Sequence, residues 1–195
     1  MYRTICAAVV LIALPFATTA AAAPPPLPPQ AAEIAQEAGK SPVPLPVRAA
    51  TAAEVARAFE RPGADSEGTP PGRSFARSRA ATDAAYCWFA EPSHTWESWS
   101  PWKRTVTQHT YWCGYWGGAI TARTTWTTAD SWLCSHDAYN FKLGGGIGYS
   151  WVYVESGGNF SCPTSIPWVT LHVRDWLRIY YITQGAAWIL DWGES

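Results

Sequence analysis

The feature that most constrains this chain is the crowding of its tryptophans into one stretch. All thirteen lie between Trp88 and Trp192, and residues 83–195 hold 24 aromatic residues among 113. Tryptophan is large and rarely buried completely, so a domain of this size cannot enclose every ring. Some aromatic side chains must reach the surface, where contiguous apolar patches mark interaction sites. The sequence therefore predicts a compact aromatic domain with a binding surface.

The rest of the chain has a different composition. Eleven of the sixteen prolines lie between Pro24 and Pro71, among many alanines. Such sequence favours extended, unpaired backbone. We therefore predict three parts: a signal peptide over 1–23, a mostly disordered Pro/Ala-rich linker or removed propeptide over 24–82, and a folded domain over 83–195.

A short helix is expected inside the predicted linker. Thr51 and Glu54 have the spacing of a capping box, and Val55 and Phe59 lie one turn apart behind it. A helix this short is marginal in water unless another part of the chain packs on it.

The N-terminal segment has the three regions of a secretory signal peptide. One positive charge, Arg3, precedes an apolar stretch from Ile5 to Phe16, and small residues follow up to Ala23. The apolar run is about a dozen residues, fewer than the roughly 20 that a membrane helix needs. We therefore predict cleavage near Ala22, a secreted, extracellular mature protein, and no membrane span in it.

Cleavage would leave four cysteines, Cys87, Cys113, Cys134 and Cys162. An even number in an exported chain predicts two disulfides. No two of them form a CxxC pair, which argues against the closely spaced ligands typical of a zinc site. Three pairings are open to four cysteines, and the spacing does not choose between them.

Residues 83–195 show a period of two rather than the 3.6 of a helix. β-Branched and aromatic residues are frequent from Thr105 to Trp112, glycines mark a turn over 114–118, and a returning strand follows over 119–126. Short strands separated by turns predict an all-β fold, a small antiparallel β-sandwich or barrel-like domain. The further predicted strands are 139–143, 149–155, 160–162, 168–174 and 176–182.

Alternation within the last strands assigns their side chains to faces. Val169, Leu171 and Val173 share one parity, which continues to Ile179 and places this set toward the core. Asp175 falls on the same parity, so a bend or bulge is expected there. The opposite parity combines aromatic rings with hydrogen-bonding side chains, as a sugar-binding platform requires. The predicted ligand-binding residues are Trp151, Tyr153, Trp168, His172, Arg174, Trp176, Arg178 and Tyr180.

The platform has an alternative interpretation. If residues 83–104 or the C-terminal segment cover this side of the sheet, the same aromatic residues form a second core. Substitution of the outward tryptophans would then reduce stability rather than ligand binding.

A separate motif is the recurrence of tryptophan at every third residue in Trp96, Trp99 and Trp102. Pro101 favours an extended helix with three residues per turn, which would put the three indoles on one side. The spacing is similar to the tryptophan ladder of thrombospondin type 1 repeats, in which arginines stack between the rings. The dense cysteine pattern of that family is absent from this sequence. We interpret the motif as three core tryptophans in a loop.

Charge and motifs exclude some classes of function. Residues 82–195 carry six basic and nine acidic side chains, without the basic stripe of a nucleic-acid binder. No catalytic motif occurs in its required structural context, no cofactor is implied, and the four histidines form no metal-ligand pair. We therefore predict a secreted binding module for polysaccharide, a cell-wall surface or another extracellular protein.

A small secreted hydrolase with a scattered active site is the alternative. Two carboxylates about 5–10 Å apart in a deep pocket would favour a glycosidase, whereas a flat aromatic face would favour binding. Inhibitors, toxins and purely structural extracellular proteins are further classes that the sequence leaves open. The candidate acids of a hydrolase are Glu91, Glu97, Asp137, Glu155, Asp175 and Asp191.

Overall fold

The computed structural model describes residues 25–70, 86–97 and 101–195. These residues form two antiparallel sheets and two short helices, so the predicted all-β sandwich is confirmed. The elements are α1 (Pro29–Glu37), β1 (Val43–Pro44), β2 (Arg48–Ala49), α2 (Ala52–Phe59), β3 (Asp65–Gly68), β4 (Tyr86–Ala90), β5 (Ser93–Trp96), β6 (Arg104–Gly114), β7 (Ile120–Ser131), β8 (Ser135–Gly145), β9 (Trp151–Pro163), β10 (Thr170–Ile182) and β11 (Ala186–Glu194). Sheet A has the strand order β1-β11-β10-β9-β8, and sheet B has the order β2-β4-β6-β7-β3 with β5 paired to β6.

The two sheets enclose the main core between them. Sheet B contributes the stacked indoles of Trp88 and Trp112, and sheet A contributes aliphatic side chains such as Val154 and Ile179. The indole nitrogen of Trp112 donates a hydrogen bond to the carbonyl of Ile182 at 2.9 Å. Because this bond satisfies its only polar group, the largest side chain type can be buried here completely.

Strand β10 has the predicted faces only in its second half. Leu177 and Ile179 are buried in the main core, as their parity predicts. Val169 and Leu171, which share that parity, are exposed instead. The prediction is wrong for these two residues because Val169 precedes the strand and the main core lies under its second half.

Asp175 lies on the core-facing parity of β10, where the sequence predicts a bend or bulge. That prediction is wrong, since β10 and β9 pair in unbroken register past this position. The buried carboxylate accepts hydrogen bonds from Arg104 at 2.7 and 3.3 Å, and Arg104 also donates to Glu194 at 2.7 Å. Burial raises the pKa of Asp175, and the pairing with Arg104 opposes that shift. An ion pair, rather than an irregular backbone, accommodates the charge.

Strand β9 runs through a Ser-Gly-Gly-Asn sequence that predicts a turn. The strand continues without a break and pairs with β10 and β8 on both sides of these residues. A Cβ atom at Gly157 would overlap the ring of Tyr139 and the carbonyl of Asp175. Glycine is therefore needed here for a close approach within a strand, not for a turn.

Residues 25–70 wrap the sandwich, in contrast to the mostly disordered linker that their composition predicts. Helix α1 packs on the outer face of sheet A and α2 on the outer face of sheet B, where Ala31 and Val55 are completely buried. Strands β1, β2 and β3 pair with β11, β4 and β7 at the sheet edges. Each short helix is stabilised by the apolar face that it covers, which local sequence does not reveal. The predicted boundary at 82/83 lies outside the described residues.

Helix α2 begins with the predicted capping box. The Thr51 hydroxyl accepts a hydrogen bond from the Glu54 backbone N–H at 3.3 Å, and the Glu54 carboxylate accepts one from the Thr51 backbone N–H at 2.8 Å. Together these bonds satisfy two backbone donors at the start of the helix.

Both predicted disulfides are present, and they pair Cys87 with Cys113 and Cys134 with Cys162. The first joins directly opposed residues on β4 and β6, and the second joins the residue before β8 to β9. Two disulfides are consistent with an extracellular protein. Among the described residues, no helix is long and apolar enough to cross a membrane. The predicted signal peptide, residues 1–23, lies outside the described residues.

Candidate functional site

The eight predicted ligand-binding residues fall into three groups according to what covers them. The groups are Trp151, Tyr153 and Tyr180 beneath α1, then His172, Arg174, Trp176 and Arg178 on the part of sheet A that α1 leaves open, and Trp168 in the loop before β10. The second group lies beside four residues of neighbouring strands. We call the resulting surface the open face, and it consists of Tyr139, Phe141, Glu155, His172, Arg174, Trp176, Arg178 and Asp191.

Helix α1 converts one part of the predicted platform into a second core. Tyr180 is 1% exposed and Tyr153 is 9% exposed, and both pack with Trp188 beneath the alanines of α1. Burial raises the pKa of each tyrosine to about 12. The predicted exposure is wrong for these two rings, because the proline-rich segment covers them. The cover that the structure describes is α1, a part of the chain that the alternative interpretation did not name.

Glu155 organises the open face. Its carboxylate is buried on β9 and accepts hydrogen bonds from Arg174 and Arg178 of β10, both at 2.7 Å. Arg178 also donates to Asp191 of β11 at 2.9 Å, and the hydroxyl of Tyr139 on β8 donates to Glu155 at 3.1 Å. Burial raises the pKa of the Tyr139 hydroxyl. A buried carboxylate is stable only when its oxygens are paired, and here the neighbouring strands supply the partners.

Arg174 and Arg178 are held by these bonds while remaining accessible. Their side chains are 48% and 36% exposed. Neither the Nη1 atom of Arg174 nor the Nη2 atom of Arg178 takes part in the network. Two arginines balance two carboxylates, so the network adds no net charge to the open face. The remaining N–H groups are oriented in advance, which reduces the entropy that binding an acceptor would cost.

Aromatic rings border the two arginines. Tyr139 and Phe141 stack along β8 with centroids 5.9 Å apart, and the Arg174 guanidinium lies 4.9 Å from the Tyr139 ring. Trp176 extends toward β11, where its ring packs over the backbone of Gly193. Phe141 is 41% exposed and Trp176 is half-buried. A ligand on the open face would therefore meet donors at its centre and rings at its margins.

Tyr139 and Phe141 were not among the predicted ligand-binding residues, and Glu155 and Asp191 were predicted only as candidate acids of a hydrolase. A signal for the two rings was present, since alternate residues of the predicted strand 139–143 must share a face. The role of Glu155 has no comparable local signal, because its partners come from other strands.

Two of the six candidate acids of a hydrolase, Glu155 and Asp191, lie close together, because both accept hydrogen bonds from Arg178. Glu155, Asp175 and Asp191 are buried in ion pairs with arginine. A carboxylate held in this way is poorly placed to exchange a proton with a substrate. The other three acids, Glu91, Glu97 and Asp137, are exposed.

Trp168 precedes strand β10 and is fully exposed. Its backbone is left-handed, with φ at 70°. Trp132 is also largely exposed, in the loop before β8, and the disulfide between Cys134 and Cys162 joins the end of that loop to β9. Exposed aromatic residues and two disulfides fit an extracellular binding module in a general way. That Trp168 contacts a ligand remains a prediction.

The tryptophans of the Trp96, Trp99 and Trp102 motif do not share one environment. Trp96 is buried, as the interpretation of the motif requires, but Trp102 is partly exposed and donates through its indole nitrogen to the carbonyl of Pro163 at 3.0 Å. Trp99 lies outside the described residues. The interpretation as core tryptophans is therefore wrong for Trp102, which helps to hold the loop before β10.

In the part of the chain that the structure describes, no group of three His, Cys, Asp or Glu side chains is placed to hold a metal ion. No family model, curated protein or solved structure matches this chain.

Proposed function

We propose that this protein is a secreted binding module that recognises a neutral polysaccharide through the open face. The observation that carries the proposal is the network around Glu155, which holds Arg174 and Arg178 and leaves one Nη atom of each outside it. Guanidinium N–H groups can donate to the hydroxyl oxygens of sugars, and aromatic rings can stack on the C–H faces of sugar rings. The balanced charge of the network favours a neutral polymer over an acidic one.

The position of the open face suits a polymer. Strand β8 is the last strand in the order of sheet A, so Tyr139 and Phe141 lie beside a sheet edge. A chain that crosses β10 and β9 reaches the exposed ring of Phe141 at this edge. This geometry supports binding along a polysaccharide rather than capture of its end.

The test is retention of the full-length secreted protein on neutral and acidic polysaccharides in affinity gels. Phe141→Ala removes an exposed ring of the open face, and we expect it to weaken binding to the retained neutral polymer roughly tenfold. Trp116→Ala is the matched control, because Trp116 is an exposed tryptophan in the turn between β6 and β7. Equal effects of the two substitutions, or retention only on acidic polymers, would contradict the proposal.

A further inference from the structure

A second cleft lies on the opposite side of the sandwich, between α2 and the outer face of sheet B. It has a volume of about 330 Å³, within the size range of small-molecule sites. We call it the α2 cleft. Its lining residues are Glu54, Arg57, Ala58, Arg61, Tyr111 and Trp126.

One wall of the α2 cleft is a row of stacked rings. Tyr111 and Trp126 are 6.0 Å apart between centroids, and His109 stacks on Trp126 at 4.8 Å with the two planes 5° apart. Phe89 continues the row, 4.4 Å from Tyr111. These rings come from three adjacent strands, β4, β6 and β7, so the wall is a rigid part of sheet B.

Two arginines face this wall. The guanidinium of Arg61 lies 4.7 Å from the centroid of the Trp126 ring, a cation–π contact that restricts its orientation. The Nε atom of Arg57 donates to the carbonyl of Ala53 in its own helix at 3.2 Å. Both guanidinium groups are thus anchored at one side and retain further N–H groups for a ligand.

The charge of these arginines is not balanced within the cleft. Among the described residues, no carboxylate lies within 4.0 Å of Arg57 or Arg61. Glu54 also lines the cleft, but it accepts hydrogen bonds from Arg48 at 2.9 Å and from Thr51 at 2.8 Å. The bonds from Thr51 and Arg48 lower the pKa of Glu54 to about 2. The negative charge of Glu54 is therefore paired with Arg48 and with the start of α2, and it does not neutralise Arg57 or Arg61.

We propose that the α2 cleft binds an acidic sugar residue, with its carboxylate between Arg57 and Arg61 and its ring beside Tyr111 and Trp126. A guanidinium group matches the planar oxygens of a carboxylate, two such groups line the cleft, and the ring wall excludes water from one side of the sugar. The open face has balanced charges, whereas the cleft has two uncompensated cations, so the two sites differ in the charge of the ligand that they select. This inference does not rest on the function proposed for the open face.

The test is titration calorimetry of the full-length protein with trigalacturonate, and with maltotriose as the uncharged counterpart. We expect trigalacturonate to bind, its affinity to fall with added salt, and maltotriose to show no binding at the cleft. Arg61→Gln should weaken the binding of trigalacturonate at least tenfold, because it removes a charge-assisted pair. Phe141→Ala should leave it unchanged, which separates the cleft from the open face.

Lys103→Gln is the matched control for loss of an exposed positive charge, since Lys103 lies outside the cleft. Arg61 follows α2 and is exposed, so its substitution should leave the melting temperature nearly unchanged even if Arg57→Gln disturbs the helix. The proposal is overturned if trigalacturonate does not bind, or if Arg61→Gln and Lys103→Gln have equal effects. It is also overturned if acetate or sulfate competes as strongly as trigalacturonate, because the site would then select a charge and not a sugar.

Discussion

The covered and open parts of the outer face of sheet A are built from the same strands but serve different purposes. Beneath α1, Tyr153 and Tyr180 are buried and form a second core. Further along the same two strands, Glu155 of β9 and Arg174 of β10 belong to a polar network that is accessible to solvent. Alternation along a strand assigns a side chain to a face, and a segment distant in sequence decides whether that face is core or surface.

The length of α1 sets the boundary between the two parts. The helix has nine residues, which corresponds to about 14 Å, whereas β10 has thirteen residues and extends roughly 43 Å. The helix therefore leaves part of the strand uncovered. In that part, apolar residues alone would form an exposed patch, and the arginines paired with Glu155 make the surface compatible with water.

The largest effect should come from removing a ring of the covered part. Tyr180→Ala deletes a buried aromatic side chain beneath α1, and we expect it to lower the free energy of unfolding by about 3–5 kcal/mol. Urea denaturation of the full-length protein with its disulfides intact measures this change. A loss below about 1 kcal/mol would mean that α1 does not cover this part of the sheet in solution.

High pH should weaken the covered part next. Burial raises the pKa of Tyr153 and Tyr180 to about 12, while an unfolded tyrosine titrates near 10. Between these values the unfolded chain loses protons first, so stability is fully present below pH 10 and falls as the pH rises toward 12. At pH 11 we expect a loss of about 1.4 kcal/mol for each ring.

Denaturation curves at pH 9 and pH 11 measure this loss, and the change in tyrosine absorbance reports ionisation directly. The Tyr153→Phe variant is the control, since it keeps the ring and removes the titrating hydroxyl. Its stability should fall less between the two pH values than that of the unaltered protein, and an identical fall would argue against the burial of Tyr153.

Disrupting the network of the open part should have a moderate effect. Glu155→Gln keeps the size of the side chain but removes the charge that holds Arg174 and Arg178. Both arginines can turn toward water, so we expect a loss of about 1–2 kcal/mol rather than the full cost of a buried unpaired charge. Chemical denaturation measures the loss, and polysaccharide affinity should fall as well if the orientation of the arginines matters for binding.

The smallest effect on stability is expected for a ring of the open part. Phe141→Ala should change the free energy of unfolding by no more than about 0.5 kcal/mol, because the ring is largely solvent-exposed. Measuring Phe141→Ala and Tyr180→Ala under the same conditions compares an aromatic ring that α1 leaves exposed with one that α1 covers, on the same face of sheet A. If both variants lost several kcal/mol, the open part would also be core and the proposed binding surface would have to be abandoned.

Strand β11 shows where sequence reasoning reached its limit. Its sequence from Ala186 to Leu190 is an apolar run without alternation, and the structure buries all five residues. One side of the strand faces the main core, where Ile189 lies, and the other faces α1, where Trp188 and Leu190 lie. A strand buried on both sides loses the period of two on which strand prediction depends.

The open face was partly predictable. The alternation along β10 correctly predicted that Arg174, Trp176 and Arg178 face away from the main core. The direction of a side chain in a strand depends only on its position along that one strand. It could not show that Glu155 is buried between the two arginines, because that contact joins different strands. The α2 cleft was not predicted, as it exists only where a helix of the proline-rich segment meets sheet B.

The sequence by itself determined the strand-forming character of residues 83–195, the number of disulfides and the parity of the second half of β10. These properties depend on cysteine count and on neighbours a few residues apart. The tertiary structure alone decided that Cys87 pairs with Cys113 and Cys134 with Cys162, and that α1 covers Tyr153 and Tyr180. Such outcomes depend on which segments, distant in sequence, pack their apolar surfaces against each other. The local sequence of one segment does not show which other segment it will contact.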